Sequence, residues 1–404
     1  MADGRRRTGQ LRPSRGKAAA TTDGDTPSDS GSTAPGADGK PRAARLADIA
    51  EVLGLSVTTV SRALNDQPHV DSQTRRRVLG AAERLGYQPN HLARALRSER
   101  TFMVGLVLPD IHSDFFATLA AVLQRDLERS GYRLILCITR DDPEVDRHYL
   151  LELLHHRVDG IVHVPCTASG AAFVRELNAT LPIIEVNRRS ESDLFDAFTA
   201  DDREGARELC TYLRELGHRD VAMIAGPEAI STSTDRVAGF RDAFPTASSK
   251  VLHGPYSQIA GHDAFAQLVS ARKPPTAIFA SSNQLVAGAL LAAEQLGIGI
   301  PEQLSLVGFD EVYWYAISRP PLTTYALPTD ELAVLAVQRL VAQMGAPRDA
   351  PAPSARPTHA RLRGRLIIRG SAARPAPLSA TSSRSPARPS RPRRSKSNGS
   401  ARGR

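Results

Sequence analysis

The sequence predicts an α/β protein that carries a small all-helical unit, which we call the headpiece, in front of its main core. From Phe102 to residue 309, short apolar segments alternate with amphipathic segments of helical length. Strands that alternate with helices form parallel βαβ units. Between residues 46 and 86, in contrast, only short helical patterns occur, separated by breaks that contain Gly, Asn and Pro.

The core elements can be placed from their apolar patterns. We expect strands at 102–109, 133–138, 160–165 and 304–309, and helices at 113–130 and 143–156. One continuous sheet would be unusually large for a core of this length, so we predict two similar lobes of parallel strands. Ligands of such folds bind beyond the carboxyl ends of the strands, which predicts a cleft between the lobes.

Composition divides the chain into five segments. The first 43 residues contain almost no aliphatic side chains and cannot bury enough surface to fold. The predicted segments are a disordered extension (1–43), the headpiece (44–86), a linker (87–98), the α/β core (99–371) and a disordered basic tail (372–404).

The net charge of +9 is distributed unevenly along the chain. Residues 371–404 carry nine basic and no acidic side chains, whereas residues 99–370 carry 27 basic and 33 acidic ones. Clustered basic charge is typical of segments that contact nucleic acid. The distribution therefore predicts DNA contacts at the ends of the chain and a small-molecule site in the mildly acidic core.

Several function classes are not supported. Three cysteines without a CxxC pair predict a reduced, cytoplasmic protein, and neither a membrane span nor an export signal is recognisable. His148, His155 and His156 lack the spacing of a metal site. No catalytic or cofactor-binding motif occurs, so we expect neither an enzyme nor a bound cofactor. An architectural DNA-binding protein without ligand control is the alternative.

The segment RLADIAEVLGLSVTTVSRALN has the pattern of a helix-turn-helix. Gly54 can adopt the left-handed conformation that ends the first helix, and Ser56 can cap a second helix that begins at Val57. The predicted inner faces are formed by apolar residues at helical spacing: Leu46, Ile49, Ala50 and Leu53 on the first helix, and Val60, Ala63 and Leu64 on the second.

The second helix presents side chains that suit the edges of DNA bases. Arg62 can bind guanine, Thr58 can form a hydrogen bond, and Val57 can contact a thymine methyl group. Packing remains open for Val57, and a phosphate contact remains open for Ser61. A third helix is predicted from Ser72 to Leu85 behind an Asp71 cap, and its arginines at 75–77 either contact phosphates or form a solvated face.

Residues 45–101 resemble the LacI/GalR family of transcriptional regulators almost position for position, through the segment quoted above, VDSQTRRRV and LGYQPNHLARALRSERT. The resemblance implies that the linker folds into a hinge helix in the DNA minor groove. Leu96 would open a base step, although packing against the core is its alternative. The DNA-contacting residues expected on these grounds are Ser56, Val57, Thr58, Ser61, Arg62, Asn65, Tyr87, Asn90, Arg94 and Leu96.

The resemblance continues more loosely to residue 371. It is carried by GLVLPDIHSDFF, RVDGIV, LGHRDVAMIAG, DRVAGF, PTAIFASSNQLVAGAL, LSLVGFDE, PPLTTY and LIIRGSA. It implies a two-lobed, periplasmic-binding-protein-like core, a homodimer or tetramer, double-stranded operator DNA as partner, and a small-molecule effector that changes operator affinity. Repression is the expected outcome.

The family's cleft positions fall on seven residues here: Phe115, Phe116, Asn187, Arg188, Arg236, Asn283 and Asp310. The resemblance implies that the phenylalanines stack on the ligand and that Arg236 and Asp310 bind its polar groups. Core packing and a salt bridge within one lobe are the respective alternatives for the phenylalanines and Arg236. Asn187 and Asn283 replace carboxylates that are common in the family, so we expect a ligand with negative charge.

Overall fold

A computed structural model describes residues 44–64, 68, 70–87, 100–166, 171–178, 181–190, 195–245, 250–345 and 357–375. The described residues up to Tyr87 belong to one compact unit, and those from Arg100 onward belong to a second. The predicted extension, nearly all of the hinge and most of the basic tail lie outside the described residues. No described helix is long and apolar enough to cross a membrane.

The headpiece consists of three helices: α1 (Leu46–Leu53), α2 (Val57–Leu64) and α3 (Ser72–Arg84). Gly54 ends α1 in the left-handed conformation, with φ of +65°, as its lack of a Cβ allows. The buried core comes from all three helices and contains Ile49, Ala50, Val60, Ala63, Val78, Ala81 and Ala82. The inner faces predicted from helical spacing are therefore confirmed, with Leu46, Leu53 and Leu64 partly buried around this core.

Side-chain caps fix where the second and third helices begin. The Oγ atom of Ser56 accepts a hydrogen bond from the Thr59 amide at 3.0 Å. At the start of α3, Asp71 accepts bonds from the amides of Gln73 and Thr74 at 3.0 and 2.9 Å. Each bond satisfies an amide that has no partner within its own helix.

The larger unit has two lobes. The first begins with β1 (Met103–Leu108), α4 (Asp114–Arg129), β2 (Arg133–Ile138), α5 (Pro143–His155), β3 (Gly160–His163), α6 (Ala171–Asn178), β4 (Ile183–Val186) and β5 (Asp196–Ala200). The second contains α7 (Asp202–Glu215), β6 (Val221–Ala225), α8 (Ser231–Ala243), β7 (Lys250–His253), α9 (Gln258–Val269), β8 (Ala277–Ala280), α10 (Asn283–Leu296), β9 (Ser305–Phe309), α11 (Tyr313–Ile317) and β10 (Thr323–Ala326). The chain ends with α12 (Thr329–Gly345), β11 (His359–Leu362) and β12 (Arg365–Ile367).

Each lobe is built on a six-stranded sheet. The strand orders are β11-β5-β4-β3-β1-β2 in the first lobe and β12-β10-β9-β8-β6-β7 in the second. The predicted parallel, two-lobed architecture is confirmed. One edge differs, because β12 runs antiparallel to β10. Strands β3, β4, β6, β8 and β9 are buried along their whole length, as expected for parallel strands covered on both faces.

The chain crosses between the lobes three times: between β5 and α7, between β10 and α12, and between β11 and β12. Helix α12 returns to the first lobe and buries six side chains in its core, namely Leu332, Ala333, Ala336, Val337, Leu340 and Met344. At the last crossing, a Cβ on Gly364 would lie 2.1 Å from the carbonyl oxygen of Ala326. The second and third crossings are thus in close backbone contact.

Candidate functional site

One face of α2 is exposed while the other packs into the headpiece. Val60 and Ala63 are buried, whereas Thr58 and Arg62 are exposed and Ser61 is half-buried. Val57 is 47% exposed, so core packing does not account for this apolar side chain. The exposed face therefore combines an apolar contact, a hydroxyl and a guanidinium, the groups that read base edges in a major groove.

Ser56 is exposed and also caps α2, and the other DNA-contact predictions divide into two groups. Tyr87 is half-buried and packs against the headpiece core, with its amide bonded to the Ala82 carbonyl at 2.8 Å. Its packing is thus a structural role that the sequence did not indicate. Asn65, Asn90, Arg94 and Leu96 lie outside the described residues and remain predictions.

The arginines at the start of α3 have mixed surroundings. Arg76 and Arg77 are exposed, and an Nη atom of Arg77 lies 3.5 Å from the Leu53 carbonyl oxygen. Arg75 is half-buried. The exposed pair remains available to phosphates, and Arg76 provides a useful comparison with Arg62 because it lies on a different helix.

A cleft between the two lobes of the larger unit encloses about 500 Å³, counted out to its open mouth. All seven cleft residues predicted above line it. The lining also includes eight residues that were not predicted: Pro109, Asp110, Ser113, Asp141, Thr232, Tyr256, Ser282 and Gln284. Most of these residues follow the carboxyl ends of parallel strands, the position expected for ligand sites of this fold class.

The aromatic wall of the cleft belongs to helix α4. The rings of Phe115 and Phe116 meet edge to face, with centroids 5.2 Å apart, and are 7% and 8% exposed. Both are members of the first-lobe core and both line the cleft. Core packing and ligand contact, stated above as alternatives, are therefore compatible here.

Arg236 is held inside the second lobe by a dense set of partners. Its Nε donates to Asp202 at 2.7 Å and an Nη donates to the Ser281 carbonyl at 2.5 Å. Its guanidinium lies 4.2 Å from the centre of the Phe309 ring, and Asp310 is 4.0 Å away. The salt bridge within one lobe is thus present, although Arg236 still lines the cleft.

Burial shifts the pKa values of these groups. It raises the pKa of Asp202 to about 6, against the opposing effect of Arg236, and it raises the pKa of Asp310. Burial lowers the pKa of Arg236, but the carboxylates of Asp202 and Asp310 outweigh it and the net shift is upward. Arg236 is therefore a permanent cation whose charge is already balanced.

Arg188, the second cationic side chain of the cleft, is also paired. It donates to both carboxylate oxygens of Asp141 and lies 5.8 Å from the Phe116 ring centre. Because Asp110 also lines the cleft, no positive charge is left uncompensated. The geometry therefore does not favour the negatively charged ligand expected from the sequence.

Two of the cleft residues have left-handed backbone conformations. Asn187 and Asp310, which follow β4 and β9, have φ values of +67° and +69°. Among residues other than Gly, Asn and Asp tolerate this conformation best. The amide at 187 thus satisfies a backbone requirement in addition to any contact with a ligand.

Hydrogen bonds hold the two lobes together at the cleft. The start of α4 and the segment after β4 contact the second lobe through Ser113–Asn283 (3.4 Å), His112–Gln284 (3.1 Å), Asp114–Trp314 (3.1 Å) and Arg189–Asp235 (2.6 Å). The cleft is thus bordered by polar contacts that a change in lobe angle would break.

Comparison with known proteins extends the similarity over both units. Residues 45–90 match the family model of bacterial regulatory proteins, lacI family, and residues 210–372 match the periplasmic binding protein-like domain. The HTH-type transcriptional regulator DegA of Bacillus subtilis (strain 168) is 32% identical over 293 residues, which cover 70% of this chain and 87% of that protein. This chain belongs to the LacI family.

Other members of the LacI family are similar to this chain over comparable lengths. The HTH-type transcriptional repressor PurR of Escherichia coli O139:H28 is 31% identical over 76% of this chain and 92% of that protein. A solved structure of a lac repressor dimer bound to operator aligns with 82% of this chain and with 100% of its own chain. The TM-score is 0.72 and the identity is 23%, so the two chains share a fold. As a LacI-family member, the chain is a sequence-specific DNA-binding transcription regulator.

Tyr256 is the cleft residue of this LacI-family protein that sequence reasoning most clearly missed. Its hydroxyl is buried and has no hydrogen-bond partner among the described residues, and its ring lines the cleft 6.0 Å from the Arg188 guanidinium. It lies in the loop between β7 and α9, where no motif singles it out.

Proposed function

We propose that this regulator binds a pseudo-palindromic operator as a homodimer and represses transcription, and that a small-molecule effector in the lobe cleft changes its operator affinity. The observation that carries the proposal is the coexistence of an exposed polar face on α2 with a partly closed cleft lined by aromatic and hydrogen-bonding side chains. A DNA-binding protein without ligand control has no use for such a cleft.

On DNA, the exposed face of α2 enters the major groove. Arg62 binds guanine O6 and N7, Thr58 forms a hydrogen bond to a base or phosphate, and Val57 contacts a thymine methyl group. Two headpieces of a dimer reach successive major grooves about 34–36 Å apart. The exposure of these side chains supports this role.

In the cleft, the effector is an uncharged molecule with several hydroxyl groups. Both guanidiniums already have carboxylate partners, so an anion would have to displace Asp141 or Asp202. Asp310 can accept from hydroxyl groups, Asn283 can donate and accept, and the unpartnered Tyr256 hydroxyl can do the same. Phe116 supplies an apolar surface for the carbon face of a sugar-like ring.

Effector control follows from the contacts between the lobes. A ligand shifts the protein between two arrangements only by its difference in affinity for them. An effector that binds residues of both lobes competes with or reinforces bonds such as Ser113–Asn283, and so changes the angle at which the lobes are held. In a dimer, a change in the angle between the lobes alters the positions of the two hinges on the DNA.

The test has two stages. Operators are first isolated by selection from random duplex DNA, which should yield an inverted repeat. Neutral sugars, polyols and sugar phosphates are then screened for a thermal shift and for a change in operator affinity. A neutral sugar should act on the wild type and lose its effect in Asn283→Ala, which removes a cleft amide while leaving the headpiece unchanged. An effector that acts equally on both proteins, or a response to anions alone, contradicts the proposal.

A further inference from the structure

A second cavity, of about 720 Å³, lies within the first lobe. It is lined by α5, by α6 and by the segments at the ends of β3 and β4, and it shares no lining residue with the effector cleft. Its size is within the range of small-molecule sites. Nothing in the proposed function uses it.

A buried histidine with one unused nitrogen lines this cavity. His163 is 1% exposed, and its Nε2 lies 3.0 Å from an Asp146 carboxylate oxygen. Because a carboxylate accepts, Nε2 carries a hydrogen and donates it. The other ring nitrogen, Nδ1, is buried and has no partner among the described residues. Burying a nitrogen without a hydrogen-bond partner costs free energy. A ligand that supplies a partner would remove this cost.

Carboxylates outnumber basic side chains in the lining of this cavity. Glu144 and Asp146 on α5 and Glu185 on β4 line the cavity, against Arg147 and His163. Arg147 is exposed, with its guanidinium 4.5 Å from the Phe173 ring centre. The excess of carboxylates attracts a cation and repels an anion.

The carboxylates that line the cavity favour the charged form of His163. Burial lowers the pKa of His163, but Asp146 and Glu185 outweigh it and the net shift is upward. Burial raises the pKa of Glu185, which accepts bonds from the amide and hydroxyl of Ser190 at 2.9 and 2.6 Å. The Cys166 thiol, whose pKa burial raises to about 12, stays neutral. The carboxylates thus favour an imidazolium at His163, whose Nδ1 has no hydrogen-bond partner among the described residues.

The rest of the lining is apolar and is formed by Pro143, Pro165, Phe173 and Val174. A ligand that fits both parts of the wall has a cationic head and an apolar body. We propose that this cavity binds a small organic primary amine, whose ammonium group donates hydrogen bonds to His163 Nδ1 and to the Glu185 carboxylate. On binding, His163 releases its Nδ1 proton to solvent, and the ammonium takes over the positive charge.

Calorimetric titration of the full chain with phenethylamine tests the site. The matched probes are 2-phenylethanol, which lacks the charge, and phenylacetate, which reverses it. Phenethylamine should bind at least about tenfold more tightly than the alcohol, and phenylacetate should not bind. The measured heat should change with the ionisation enthalpy of the buffer, because a proton is released. Equal binding of amine and alcohol, preferred binding of phenylacetate, or no binding by any probe would overturn the proposal.

Substitutions in both cavities test whether the amine binds in this one. Glu185→Gln should weaken phenethylamine binding about tenfold, and Glu144→Gln, at an exposed position, about two- to fivefold. Asn283→Ala in the effector cleft should leave the amine affinity unchanged. If Glu185→Gln fails to fold, the amine affinity of Glu144→Gln and the dependence of the binding heat on the buffer still test the site. An amine affinity that falls only in Asn283→Ala would place the binding in the effector cleft and refute the second site.

Discussion

Arg62 illustrates how much depends on single side chains in this regulator. It lies on the exposed face of a helix whose opposite face is packed, so its substitution should remove the proposed DNA contact without creating a cavity. Arg236 is the opposite case: it is buried, and its charge holds Asp202 and the Ser281 carbonyl in place. Substitutions at these two arginines should therefore have separable effects on DNA binding and on stability.

Arg62→Ala should weaken binding to the selected operator by about 1–3 kcal/mol and relax the preference at one base position. The matched control is Arg76→Ala on α3, which should weaken operator and random DNA equally, as a phosphate contact does. Both are measured by competition binding against operators with single base changes. An equal loss on operator and random DNA for Arg62→Ala would refute base recognition.

Asp202 should make stability depend on pH in an unusual direction. Because its pKa in the folded protein is about 6 and its ordinary value is 3.8, the folded state takes up this proton first as the pH falls. Between these values the folded state binds more protons than the unfolded chain, so the contribution of Asp202 to stability increases as the pH falls. Urea unfolding from pH 7 to pH 4 should show wild type gaining stability relative to Asp202→Asn. A parallel pH dependence of the two proteins would contradict this.

At the scale of the element, α2 is positioned by its cap and by the turn before it. The helix has only eight residues, and helices this short depend on their ends and on tertiary packing. Ser56 supplies the N-terminal cap and Gly54 the left-handed turn. Both residues determine the direction of α2, and for Ser56 this is a role in addition to the DNA contact predicted for it.

Ser56→Ala should destabilise the start of α2 by about 1 kcal/mol, because the Thr59 amide loses its acceptor. Hydrogen exchange of the full chain, followed by mass spectrometry, should show faster exchange in the peptide that contains α2 and unchanged exchange in the core. Ser56→Thr keeps a hydroxyl and should retain the wild-type rate. Equal exchange in Ala and Thr variants would mean that the cap does not stabilise α2.

Local patterns predicted the elements well, but not the pairing of distant side chains. Strand β2 was placed at its observed bounds because its apolar run is short and sharply ended. The partner of Arg188, Asp141, is 47 residues away, and no periodicity connects them. The expectation of an anionic ligand rested on the amides at 187 and 283, and it did not take into account that Asp141 and Asp202 pair with the two arginines of the cleft. Tyr256 was missed because it belongs to a loop.

At the scale of the whole molecule, the second lobe extends slightly further than composition suggested. The predicted tail began at residue 372, yet the Ala373 carbonyl accepts a hydrogen bond from His218 at 2.9 Å, and its amide donates to Ser305 at 3.0 Å. The basic segment beyond the described residues, 376–404, still carries eight basic and no acidic side chains.

Deletion of residues 376–404 should reduce the salt dependence of DNA binding, because it removes up to eight phosphate partners. Operator and random DNA should lose affinity together, so their affinity ratio should stay constant. Titrations at several salt concentrations provide the slope. A deletion that begins at residue 372 would also remove the contacts of Ala373 and is not an equivalent experiment. A collapse of operator selectivity after the shorter deletion would show that the tail recognises sequence.

The path of α12 has a consequence for how the protein is made. The first lobe starts at β1, but α12 and β11, which complete its core and its sheet, follow all of the second lobe except β12 in the chain. During translation the first lobe therefore leaves the ribosome with one face of its sheet covered by α4 but not by α12, and its core and sheet stay incomplete until residue 362 has emerged. The second lobe lacks only β12 at that point. This regulator should thus expose apolar surface to chaperones for most of its synthesis.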